Sequence, residues 1–64
     1  MTRKTLSNLP AHIRSRIESF KEAYYESGFS SFVRARTAGY LEGLKDAGLI
    51  TESERKVLFT YATL

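Results

Sequence analysis

His12 is the only histidine in the chain and Asp46 the only aspartate, and there is no cysteine. Acid–base or nucleophilic catalysis needs a proton-transferring pair, or a nucleophile within reach of its base. A metal site needs several imidazole, thiolate or carboxylate ligands converging on one point. Neither set assembles from these residues, so no catalytic, cofactor-binding or metal-ligating residue is assigned and a non-enzymatic protein is expected. His12, lacking histidine or cysteine partners, reads as a surface or capping residue. The chemistry this chain does carry is the chemistry of contact: arginines, aromatic rings and a line of very small side chains.

The small residues come first. Ala35, Gly39, Gly43 and Ala47 recur at every fourth position, which places all four on one side of a helix. Two glycines inside a helix each cost about 1 kcal/mol relative to alanine. A helix that keeps them is expected to lie very close to a neighbour, either another helix of the same chain or a second molecule. Arg36 falls in the sector otherwise kept small or apolar, so it is expected to stack on Tyr40, pair with a carboxylate, or reach a partner. The predicted interface comprises Phe32, Ala35, Arg36, Gly39, Gly43, Ala47, Leu58 and Phe59.

A second set of residues suits a different partner. Residues 1–36 hold seven basic side chains (Arg3, Lys4, Arg14, Arg16, Lys21, Arg34, Arg36) against Glu18, Glu22 and Glu26, whereas residues 37–64 are slightly acidic. Arg14, Lys21 and Tyr25 share one flank of the first predicted helix, and Arg34 extends it. Basic residues with an interleaved aromatic suit a phosphate backbone and a stacked base. Arg3, Lys4, Arg14, Arg16, Lys21, Tyr25 and Arg34 are therefore the candidate nucleic-acid contacts. Against this reading, Glu18 lies four residues after Arg14 and Glu22 adjoins Lys21, a pattern that also describes an ordinary solvated face. A helix-turn-helix reading of the second half is weaker still. Its would-be recognition helix opens with Glu52 and Glu54, which repel phosphate.

The elements that position these residues follow from apolar periodicity. Ile13, Ile17, Phe20 and Tyr24 form a helical stripe ending at Ser27-Gly28, with Ser7 or Asn8 as cap and Pro10 in the first turn. Ser30 or Ser31 caps a second helix, in which Val33, Thr37, Tyr40 and Leu44 share a face with Leu41 at its edge. Arg34, Ala38, Glu42, Lys45 and Asp46 are assigned to its solvent side. Gly48 stops that helix, and Leu49 folds back toward Leu44 in a Schellman-type end. Thr51-Glu52-Ser53-Glu54 is a capping-box sequence opening a third helix, with Ile50, Val57, Tyr61 and Leu64 inward. The prediction is an all-α domain of three helices, near 9–27, 31–47 and 52–62. Its core is drawn from Ile13, Ile17, Phe20, Tyr24, Val33, Tyr40, Leu44, Val57 and Tyr61. Residues 1–6, polar and without periodicity, are expected to be a flexible basic arm, and residues 7–64 a single helical domain.

With 64 residues and no disulfide, such a domain sits near the lower limit for a self-sufficient core. Leu58 and Phe59 flank Val57 on different sides of the third helix, which gives that helix more apolar surface than two neighbours would cover. Self-association follows as the expectation, most simply as a homodimer, together with an unidentified protein partner; the alternative is that residues 1–6 cover Phe59, or that it stands exposed as an isolated residue. Nucleic acid is the less favoured alternative. No apolar run is long enough for a membrane span, and the absence of cysteine and of a signal segment favours the cytoplasm.

Overall fold

The computed structural model describes residues 2–64, with side chains from Thr5 onward. Four helices run in order, α1 (Thr2–Ser7), α2 (Ala11–Glu26), α3 (Ser31–Asp46) and α4 (Glu52–Ala62), and the described residues contain no strand. The three longer helices match the predicted ones to within two residues at each end. The short α1 falls where a flexible arm without secondary structure was expected.

Each boundary has a local cause. Pro10, extended at φ −55° and ψ 149°, is the residue before α2, and no side chain caps that end. Neither Ser7 nor Asn8 takes the expected capping position, and Pro10 lies outside the first turn. Its carbonyl accepts from the backbone N–H groups of Ile13 and Arg14, both at 3.0 Å. At the other end Gly28 turns left-handed (φ 72°). Phe29 N–H donates to the Tyr24 carbonyl at 2.9 Å and Gly28 N–H to that of Tyr25 at 3.2 Å, the paired bonds of a Schellman motif. Ser30 then caps α3 by accepting from Phe32 N–H at 3.1 Å. The same C-terminal motif recurs at α3, where Gly48 has φ 78° and Leu49 N–H donates to the Leu44 carbonyl at 3.0 Å. Thr51 and Glu54 form the predicted capping box, with bonds of 2.8 and 3.1 Å.

The core differs in detail from the predicted one. Leu9, Ile13, Ile17, Leu41, Leu44, Ile50 and Leu58 form the buried cluster, with Leu41 and Leu58 fully enclosed. Thr37 is also buried and satisfies its hydroxyl by donating to the Val33 carbonyl at 2.8 Å. Phe20, Tyr24, Val33, Tyr40, Val57 and Tyr61, assigned to the core from sequence, are half-buried around it. The reason is the placement of α4, which packs against α1, α2 and α3 together. Covered from three directions, α4 buries Leu58, while Val57 and Tyr61 of its predicted stripe stay half-buried and Leu64, predicted inward, is exposed. Leu6 of α1 and Phe59 of α4 both pack on the cluster. The packing of α1 against α4 accords with the alternative in which residues 1–6 cover that helix.

An ionic network fastens the end of α3 to the start of α4. Lys45 pairs with Glu42 at 2.9 Å and Glu52 at 3.5 Å, while Arg55 meets Glu52 at 2.7 Å and Glu42 at 3.7 Å. The two hydrogen bonds from the Arg55 guanidinium hold the Glu52 carboxyl down at about 2. A depressed carboxyl stabilises the fold fully above its unfolded value of 4.5 and loses that contribution as pH falls toward about 2. Glu52→Gln should therefore flatten the fall in melting temperature over that acid range, as read by circular dichroism. An unchanged slope would show that exposure and screening leave the network without effect.

Candidate functional site: the uncovered face of α3

One side of α3 has no neighbour among the described residues. Ala35, Gly39, Gly43 and Ala47 are all exposed, and a Cβ placed on Gly39 or Gly43 would meet nothing within 4 Å. Close packing of this stripe against another helix of the same chain is thereby ruled out as the reason for the glycines. Phe32 stands at one end of the face and is 82% exposed. Leu49, 49% exposed, lies in the turn at the other end. Arg36 and Asp46 flank the glycines and are both exposed. Among the described residues, Arg36 neither stacks on Tyr40 nor pairs with a carboxylate. Asp46 likewise has no partner among the described residues, in contrast to Lys45 and Glu42 beside it.

Two residues assigned to the interface from sequence are not on the surface in this sense. Leu58 is 0% exposed and belongs to the core. Phe59 is half-buried against that core, with the Arg34 guanidinium 5.5 Å from its ring centroid. Of the solvent side assigned to α3, Arg34, Glu42 and Asp46 are exposed, while Ala38 and Lys45 are half-buried. Glu42 and Lys45 face the start of α4, and Arg34 faces Phe59 of that helix. The open surface also takes in the small stripe, which lies next to Asp46.

Between α2 and α3 this face borders a shallow groove of about 190 Å³, lined by Phe20, Val33, Ser19 and Ala23 with Arg16 and Arg36. The Phe20 and Tyr40 rings meet nearby at 5.4 Å. Arg16, like Arg36, makes no ion pair or hydrogen bond within the described residues.

The other candidate basic residues scatter. Arg14 donates to the carbonyls of Leu9 at 3.2 Å and Ser7 at 3.4 Å, bracing the α1–α2 connection. Lys21 sits 4.0 Å from the Tyr61 ring centroid, and the Tyr61 hydroxyl donates to Glu18. That hydrogen bond, with burial second, pushes the Tyr61 pKa above its ordinary value. Arg34 is taken up by Phe59, and Arg16 lies in the α2–α3 groove, away from Lys21. The side chains of Arg3 and Lys4 lie outside the described residues. Tyr25 is 72% exposed and touches Phe29 edge-on at 5.9 Å.

Phe29 was not singled out from sequence, yet it has a positive φ of 66°. A left-handed backbone costs a non-glycine residue roughly 1–2 kcal/mol. Its ring packs on Tyr24 at 5.5 Å as well as Tyr25, forming an aromatic knuckle at the α2–α3 turn. No sequence signal marks it, since the preceding Gly28 suffices to end the helix.

No group of three or more histidine, cysteine, aspartate or glutamate residues among the described residues could hold a metal ion, and none of the described helices is long and apolar enough to cross a membrane. The chain matches no family model, no curated protein and no solved structure. Its surface is therefore the guide to its function.

Proposed function

We propose that this chain is a small non-enzymatic interaction protein of the cytoplasm, working as a homodimer that binds a protein partner. One observation carries the reading: the face from Phe32 through Gly39 and Gly43 to Ala47 is uncovered although its glycines weaken the helix. Helix-destabilising residues with no packing role inside the chain are accounted for by a contact outside it. Phe32, too large and too exposed to be idle beside them, supplies apolar area to that contact. The knuckle of Tyr24, Tyr25 and Phe29 lies at the end of the bundle, and such aromatic residues are the usual anchors of protein recognition. It is the surface offered to the partner protein. The nucleic-acid alternative has less support, because Arg14, Lys21 and Arg34 are engaged with their own chain and Arg16 lies in a separate groove.

Sedimentation at tens of micromolar protein tests the reading. The wild type is expected at twice the chain mass. Phe32→Ser should shift it mainly to monomer while leaving the circular dichroism spectrum unchanged, since each Phe32 buried in a dimer contributes about 1.5–3 kcal/mol. A wild type that sediments as a monomer at that concentration overturns the homodimer.

A further inference from the structure

We infer that the uncovered face of α3 pairs with the same face of a second copy in antiparallel orientation, about a two-fold axis passing at the level of Leu41. This inference rests on the homodimer reading and specifies how the two copies meet. In an antiparallel pair, positions equidistant from the axis lie at the same height. Gly39 then faces Gly43 of the other copy, and Ala35 faces Ala47, so every small residue of the stripe meets another small residue. The two backbones approach closely along the whole contact. Arg36 and Asp46 are also equidistant from Leu41, which sets the unpaired guanidinium of each copy level with the unpaired carboxylate of the other. Phe32 comes to the height of the Gly48–Ile50 turn, where Leu49 is 49% exposed.

Charge decides between the orientations. A parallel pair in register would place Arg36 beside Arg36 and Asp46 beside Asp46, two repulsive contacts next to a nearly side-chain-free interface. The antiparallel pair turns both into attractions and uses the two charged groups of this face that have no partner among the described residues. An isologous contact of this kind closes on itself, so association stops at two copies. Self-complementarity of both size and charge about one point favours a second copy over an unrelated partner as occupant. The neighbouring ionic groups do not compete: Lys45, Glu42, Glu52 and Arg55 satisfy one another on the side facing α4.

Charge reversal tests the pairing. Arg36→Asp gives a face with two carboxylates, and Asp46→Arg a face with two guanidiniums. Both sites are exposed, and circular dichroism serves as the check on folding. Each variant alone should dimerise about tenfold or more weakly than wild type in sedimentation, because like charges are now opposed across the two-fold. Mixed in equal amounts, the two variants should form a heterodimer, visible by native mass spectrometry, since every opposed pair is again of opposite sign. The double variant Arg36→Asp/Asp46→Arg should regain the homodimer. If the wild type dimerises but the single variants dimerise equally well, or the mixture shows no preference for the heterodimer, the antiparallel register is wrong while the homodimer stands. If the wild type is monomeric, both fall together.

Discussion

Leu58→Ala is expected to leave the chain largely unfolded at room temperature. Leu58 is fully enclosed and belongs to α4, the helix that packs against the three other helices. Truncating a buried leucine costs about 2–5 kcal/mol, partly in lost transfer energy and partly in the cavity left behind. A single core of this size supplies only ~3–5 kcal/mol, so the loss is comparable to the whole stability. Circular dichroism should show most of the helical signal gone and no cooperative melt. Val57→Ala, one residue away but half-buried, should keep a cooperative transition. A Leu58→Ala protein that melts close to wild type would mean that the centre of the core lies elsewhere.

The second large effect has opposite signs in two measurements. In the double variant Gly39→Ala/Gly43→Ala, each added methyl enters open space within the chain. Each replacement should strengthen α3 by about 1 kcal/mol. A domain of this size gains roughly 4–8 °C in melting temperature per kcal/mol, so the dilute protein should melt on the order of 10 °C higher. Association should weaken in the same variant, because four methyl groups per dimer push the backbones apart. Higher stability with unchanged association would show that the glycines do not line the contact. Lower stability in the dilute protein would show that the methyls meet something within the chain.

Most of the helical layout was legible because its signals are local. Gly28 and Gly48 end helices by taking up a left-handed backbone, and Thr51 with Glu54 starts one through paired hydrogen bonds; each motif needs only a few consecutive residues. The rotation of the helices was less legible. Leu41 and Leu58 lie beside their predicted stripes, and their burial depends on α4 being covered from three sides, which periodicity along one helix does not report. α1 was missed for a related reason, since six polar-to-mixed residues show no period of their own and are ordered against α4 through Leu6. Its contact with α4 is the cover offered as the alternative to an interface at Phe59. The small stripe of α3 was visible from spacing alone, but whether it faced inward or outward was not. Asp46 was recognisable as exposed; its relation to Arg36 emerges only when both are found unpaired on the same face.

In the proposed dimer a second copy sits on that face. This placement is tested most directly by following backbone amide signals by nuclear magnetic resonance as the protein is diluted from millimolar to micromolar concentration. The signals of Phe32, Ala35, Arg36, Gly39, Gly43 and Asp46 should move together along one dimerisation curve, while those of Ile17 and Leu58 in the core stay in place. Concentration-dependent shifts centred on the Tyr24–Phe29 knuckle or the outer side of α2, with the α3 face unmoved, would contradict it.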